Sequence, residues 1–444
     1  VLPFLDMSQA KDQEYFSDGL TLELIDRLAR IPGLQVIGHT SSFSFKGKAV
    51  PAAQIAKALG VAHLIEGSVR RSGHTARVTA QLIRADSGVQ LWSQTYDRDV
   101  KDIFQVQDEI ATAVVNALEV KLLSEKQVVD PYRSDNADAY NLFLFAKQLV
   151  ARRNLPDYKR AVEIFRRATV LDPGYAAAYA GMSYYETKIA NVTLDEAGYK
   201  RAREDAEKAL SLSPQLIEGY RARIELRRET LDFKGARDDM EKALAIAPGD
   251  SLVQSLYGVG LAMFGRIPEA TAAMNHAIDL DPLNSFAWAN LGLFLTAGHN
   301  YPAARRALER AIAINQDDYS FHMALGQLDL LEGRWTESLN EFQEKGSEVG
   351  SLMGRSMVAH SRGQAAESEL ALDALIVDHS ADSTYQIAEV YAWRGERDKA
   401  FDWLERAYRQ RDGGLNGILY DPLIDGLKVD PRFDALLKRL KLTG

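Results

Sequence analysis

A chain of 444 residues is too long for one ordinary hydrophobic core, so it needs either two or three domains or an array of repeats. Its 53 basic and 62 acidic residues leave a formal net charge of -9, which argues against a general nucleic-acid-binding surface. With no cysteine, disulfides and thiolate metal sites are excluded, and either redox compartment fits. No apolar run reaches the length of about 18 residues that a membrane-spanning helix needs, and no signal peptide is recognisable. The chain opens on the apolar stretch VLPFLDM without an initiating methionine, so it reads as a processed product or a fragment whose upstream targeting or membrane segment would be out of view.

Residues 1–124 predict a small α/β domain. VLPFL reads as a first strand, residues 13–31 as a helix, LQVIG as a second strand and Ala52 to Leu59 as a short helix. HLIEGSVRR, TARVTAQLIRA and VQLWSQTYD follow as three strands, separated by Ser72-Gly73 and Asp86-Ser87-Gly88, and predict an antiparallel meander. Ala76, Val78, Ala80 and Leu82 share one face, Arg77, Thr79 and Gln81 the other, so helices should cover the first. Glu66 is expected opposite Arg77 as an ion pair on the wetted face. A helix from Val106 to Leu123 closes the domain.

Segment by segment, VLPF, YFSDGL, LQVIGHTSSFSFKGK, LIEGSVRRSG, RVTAQLIRADSG, LWSQTYDRD and IFQVQDEIA resemble the TolB-like amino-terminal domain that precedes repeats in certain bacterial proteins. The resemblance implies an upstream effector: a winged-helix transcription regulator followed by a membrane span, or a class III adenylate or guanylate cyclase domain. In relatives of the first kind this region lies on the periplasmic side of the inner membrane; in those of the second it often stays cytoplasmic.

After a polar connector over 125–135, a period takes over. KALSLSP, KALAIAP and HAIDLDP end at Pro214, Pro248 and Pro282, 34 residues apart. With proline as position 32, Trp288, Leu291 and Gly292 fall at positions 4, 7 and 8, and Ala304 and Ala311 at 20 and 27. Tyr257, Gly258, Ala270 and Ala277 fill the same slots one unit earlier, and Tyr220, Ala236 and Ala243 one before that. This is the tetratricopeptide pattern of stacked helical hairpins, with large residues between the helices and small ones where they approach. About eight units are expected over 136–412, ending near Pro173, Pro214, Pro248, Pro282, Gln316, Gly346, Val377 and Asp412. Insertions near Arg152 to Pro156 and Asn191 to Gly198 should lengthen turns. Residues 413–444 break the period and predict a cap whose last helix buries Phe433, Leu436, Leu437 and Leu440. YQIAEVYAWRGERDKAFDWLERAYRQRD and DPRFDALL also resemble the carboxy-terminal part of the same bacterial family. The fold class expected is therefore α+β multidomain: a small α/β domain followed by an all-α right-handed repeat superhelix.

No constellation of reactive groups emerges. The eight histidines occur singly, without H-E-x-x-H spacing, and His322 stands in a packing slot. No serine has a G-x-S-x-G context. Gly258, Gly260 and Gly265 lack a preceding strand, and SFKGKAV lacks phosphate-loop spacing. Asp238-Asp239 and Asp317-Asp318 read as solvated helix or turn positions. Neither catalysis, cofactor nor metal is expected.

What remains is the concave groove lined by the first helix of each hairpin, with positions 2, 5, 9 and 12 pointing into it. These are Glu218, Arg221, Glu225 and Arg228, then Leu252, Ser255, Val259 and Ala262, then Phe286, Ala289, Leu293 and Thr296. The groove should thus change from charged to apolar. Only Asn290 approaches the side-chain set of a carboxylate clamp. An apolar strip suits an extended or helical segment of a partner, or cover by neighbouring helices or the first domain. The expected function is a protein or peptide interaction module, the sensory or scaffolding region of a bacterial signalling or transcription-regulatory protein, without direct nucleic-acid contact. Its partner is expected in the groove or at the seam between the two domains, shifting how they sit. The regulatory half of a nucleotide cyclase and a free periplasmic assembly scaffold remain open.

Overall fold

The structure, a computed structural model, describes residues 1–9, 11–29, 31, 34–72, 75–99, 102–118, 134, 136–343 and 348–443. The turn expected at Ser72-Gly73, the connector over 125–135, the helix end at Leu123 and the sixth-repeat end near Gly346 lie wholly or largely outside these residues. The described chain is mostly helical, with one four-stranded sheet near its start. It divides into two compact units, one of residues 1–226, 239–253 and 279–283, the other of residues 227–238, 254–278 and 284–444.

The first unit opens with β1 (Leu5–Asp6), α1 (Glu14–Ala29), α2 (His39–Phe43), α3 (Ala52–Leu59), β2 (His63–Ser72), β3 (Thr75–Arg84), β4 (Val89–Asp99) and α4 (Ile103–Ala117). The sheet order is β1-β2-β3-β4, with β1 parallel to β2 and the expected antiparallel meander beyond it. Ala76, Val78, Ala80 and Leu82 are at most 1% exposed, in one core with Leu20 and Leu24 of α1 and Val106 and Ile110 of α4. The other face is wet: Arg77 forks onto Asp97 at 2.6 and 3.0 Å, and Thr79 meets Thr95 at 3.1 Å.

Two expectations fail here for reasons of register. Residues 34–38, LQVIG, form no strand, and the one strand that pairs with β1 among the described residues is β2. Gly38 N–H instead donates to Leu280 O, at 2.8 Å. Nor does Glu66 face Arg77. The ladder pairs Ser72 with Thr75, which sets Glu66 opposite Gln81, its donor at 3.2 Å.

Helical hairpins follow: α5 (Ala137–Val150) with α6 (Leu155–Leu171), α7 (Ala176–Thr193) with α8 (Glu196–Leu212), α9 (Ile217–Glu229) with α10 (Phe233–Ile246), and α11 (Ser251–Met263) with α12 (Ile267–Leu280). Then come α13 (Ser285–Ala297) with α14 (Tyr301–Ile314), α15 (Tyr319–Leu331) with α16 (Trp335–Gln343), α17 (Glu348–Ser361) with α18 (Ala365–His379), and α19 (Thr384–Trp393) with α20 (Arg397–Gln410). The small slots are filled as the period requires: Ala236, Ala243, Ala270, Ala277, Ala304 and Ala311 are at most 1% exposed. A Cβ on Gly258 would lie 3.2 Å from Ala270 O, so that glycine serves close helix packing. The insertions lengthen helices more than turns. α6, α7 and α8 have 17, 18 and 17 residues, and the α7–α8 connection is only Leu194 and Asp195, with Leu194 left-handed at φ 54°. Continuing the helix satisfies backbone groups that a longer loop would leave to solvent.

The α/β region and the first hairpins share one core. Phe4, Phe16, Leu20, Val78 and Phe104 cluster with Tyr140, Phe143, Leu144, Phe165 and Tyr175. The Tyr140 ring meets Phe104 at 4.8 Å and Phe16 at 6.3 Å, edge-on, and its hydroxyl donates to Glu23 Oε2 at 2.9 Å. Arg71 of β2 donates to Asn141 Oδ1 of α5 at 2.9 Å. That seam is a packed interior and not an open joint, so a partner shifting the α/β region against α5 would have to break buried contacts.

In the second unit the chain ends in two short 3-10 turns (Gly413–Gly417 and Pro422–Leu427) and α21 (Pro431–Arg439). Phe433, Leu436, Leu437 and Leu440 are buried and Lys438, Arg439 and Lys441 exposed, as a capping helix requires.

Candidate functional site

In the first unit, α7 and α9 present a polar and aromatic strip. Arg221 lies over the Tyr184 ring, 4.5 Å from its centroid. Burial works against its charge, but Tyr184, Tyr185 and Glu218 outweigh it and hold the guanidinium pKa above its usual range. Burial likewise pushes the Tyr185 hydroxyl up to about 12. Glu225, 8% exposed, pairs with Lys188 of α7, and Glu218 is half-buried. Glu218, Arg221 and Glu225 are therefore brought together, joined by Tyr184 and Lys188, which the residue pattern had not singled out. With Pro173 as position 32, Tyr184 occupies position 9 of the second repeat, so the same count extended one unit back would have found it.

The remaining groove candidates are placed differently. Leu252 is half-buried, its N–H capped by Asp250 Oδ1 at 2.8 Å. In the second unit, Arg228 Nε donates to Asn416 Oδ1 at 3.2 Å. Ser255 Oγ is buried without a hydrogen bond among the described residues. Val259 packs on the core around Met274, and Ala289 on Phe321 and Ala311. Phe286 is 42% exposed, edge-on to Phe321 at 5.3 Å. Leu293 is half-buried between two hydrophobic clusters. Asn290 spends its amide on Phe286 O at 3.0 Å, on its own helix, so a carboxylate clamp gains no donor there. Two expectations are corrected: Ala262 is fully buried in the core with Met274, and Thr296, 4% exposed, turns its hydroxyl onto Gly292 O.

A second feature of the first unit escaped the sequence pattern. The loop after α12 docks on α2: Ser41 N–H donates to Asp281 Oδ1 at 2.8 Å, and Leu283 N–H to Ser41 Oγ at 2.8 Å. Asp281 is 1% exposed and Ser41 fully buried. A Cβ on Gly38 would lie 2.7 Å from both Ser251 Oγ and Asp281 Cγ, so only glycine fits. Leu283 packs on the cluster of Leu2, Ile55, Leu59, Leu64 and Ile83, making this inter-hairpin loop part of the α/β core. Here the protein covers its own repeats. Asp281→Ala should leave a buried N–H unmade and cost about 1–3 kcal/mol, with faster tryptic cleavage at Lys46 and Lys48. Unchanged melting and cleavage would show that the contact contributes nothing.

Other residues read for chemistry are structural. Lys46 of SFKGKAV pairs with Asp18 at 2.6 Å and Glu14 at 2.8 Å. His322 is 8% exposed, with Nδ1 2.8 Å from Glu341. Asp239 is fully buried and takes two hydrogen bonds of 2.7 Å from Arg223, which corrects its reading as a solvated position. Among the described residues no group of three or more His, Asp or Glu could hold a metal ion, and no helix is long and apolar enough to cross a membrane.

No protein-family model matches the chain. It is 40% identical over 184 residues to a putative adenylate cyclase 3 of Rhizobium meliloti, covering 41% of this chain and 31% of that protein. The chain thus spans about a third of that relative's length. Among solved structures it is similar to PilF of Pseudomonas aeruginosa, at 19% identity and TM-score 0.36 over 45% of this chain and 92% of that one. A tetratricopeptide repeat protein of Parabacteroides merdae matches at 15% identity and TM-score 0.40, over 58% and 99% of the two chains.

Proposed function

We propose that the chain is a non-enzymatic module that binds a protein or peptide segment along the α7–α9 strip, and that it regulates an effector carried elsewhere in a longer bacterial signalling protein. The observation that carries the binding reading is the strip itself. Tyr184 and Arg221 form a stacked, half-buried platform beside the Lys188–Glu225 pair, a combination of rigid aromatic area with fixed charge that suits peptide recognition. The likeness to a protein named as a putative adenylate cyclase favours a class III nucleotide cyclase as the effector, and with it a cytoplasmic location in place of the periplasmic one expected above. Since the α/β region and α5 share a core, a partner would act through the hairpins of the strip and not by hinging that seam.

A spotted peptide array probed with the chain tests the binding half. Peptides bound by the parent should be lost, by about tenfold or more in signal, with Tyr184→Ala combined with Arg221→Glu, a loss of about 1.4 kcal/mol or more. An identical set retained by the variant would move the site elsewhere.

A further inference from the structure

The last hairpin and the segment after it hold two buried carboxyl groups that the binding strip does not use. Glu389 of α19 is 5% exposed, and Asp421, at the start of the second 3-10 turn, 9%. Asp421 accepts from Leu423 N–H at 2.8 Å and from the Tyr385 hydroxyl at 2.9 Å, and Glu389 hydrogen-bonds it as well. Tyr385 and Glu389 stand four residues apart, one above the other on α19. Asp412 adds a third carboxylate nearby, accepting from Thr384 Oγ1 at 2.7 Å, Tyr385 N–H at 2.9 Å and Gly414 N–H at 2.9 Å. Of the other groups in range, Tyr420 is neutral and Lys428 is already paired with Asp425 at 2.6 Å. Two carboxylates in contact in an apolar interior cannot both be ionised. Asp421, which accepts from Leu423 N–H and the Tyr385 hydroxyl, is the site for the charge, which leaves the proton on Glu389.

We propose that this shared proton latches the carboxy-terminal segment, residues 413–442, onto α19, and that the latch loosens as pH rises. Burial raises the Glu389 carboxyl well above its ordinary range, and Asp421 and Asp412 push it the same way. The sign follows: a carboxyl that binds its proton more tightly folded than unfolded contributes fully below the ordinary glutamate value, and loses that contribution as pH climbs through the raised one. Once Glu389 ionises, its charge repels that of Asp421, which works to push the segment bearing Asp421 off α19.

Amide hydrogen exchange of the full chain of 444 residues, corrected for intrinsic rates, tests this from about pH 6 to pH 9. Protection over residues 413–442 should fall with pH by up to about tenfold per unit between the ordinary glutamate value and the raised one, and level off once Glu389 has ionised in the closed state. Glu389→Gln, whose amide donates to Asp421 without titrating, should give a flat profile. Parallel profiles in parent and variant would overturn the latch. Should Glu389→Gln fail to fold, infrared spectra of parent protein labelled with 13C-glutamate decide. A protonated glutamic-acid band at neutral pH that fades on alkalinisation supports the proposal, and no such band contradicts it.

Discussion

Tyr140→Ala, a substitution in the first helical hairpin, should destabilise the α/β region as strongly as the hairpin itself. The ring is 1% exposed and contacts Phe16 and Phe104, and its hydroxyl donates to Glu23. Truncating a buried aromatic to alanine costs about 3–5 kcal/mol, and the loss of a donor to a buried carboxyl adds to it. Because Phe16 and Phe104 belong to α1 and α4, the void opens into the same core that β3 lines with Val78 and Ala80. Hydrogen exchange should therefore show strands β2 and β3 and helix α5 losing protection together, by about a thousandfold for 4 kcal/mol. Loss confined to α5 would mean that the α/β region folds without it.

Asp239→Ala should be nearly as costly, for an electrostatic reason. Asp239 on α10 is fully buried and takes both Nε and a terminal nitrogen of Arg223 on α9. That hydrogen bond is the main reason the Arg223 pKa rises above its usual range. Removing one partner of a buried pair leaves an uncompensated charge and costs about 3–5 kcal/mol. The double replacement Arg223→Met with Asp239→Leu should recover most of the loss, since apolar residues of similar volume replace such pairs with little penalty. Chemical denaturation of the three variants measures this. An alanine variant melting with the parent would show that the pair is solvated, as the sequence alone had suggested.

Much of the fold was legible because its signals are local. The alternation of Ala76, Val78, Ala80 and Leu82 fixed a strand and its buried face, and the bounds of α3 followed from a short amphipathic stretch before Gly60. The 34-residue phrase located the hairpins from Pro214 to Gln316 because each small slot has a steric cause. What stayed hidden is non-local. Leu34 and Val36 alternate like a strand, yet nothing in residues 34–38 says that the ladder position beside β1 belongs to β2. Asp238 and Asp239 look alike in sequence, but adjacent helical residues point about 100° apart, so one can meet solvent while the other meets Arg223. Ser41 and Asp281 are separated by 240 residues, and no pattern in either segment announces the partner. In the strip, Glu218, Arg221 and Glu225 were readable from repeat position and Tyr184 from the same count carried one repeat back, whereas Lys188 became a partner only through the packing of α7 on α9.

The most direct measurement of the binding site is deuterium exchange on the full 444-residue chain, with and without a saturating concentration of the strongest array-selected peptide. Added protection concentrated on α7 and α9, around Tyr184 and Arg221, is the result predicted. Protection at other helices with α7 and α9 unchanged, or no protection anywhere at saturation, would contradict a partner site on this strip.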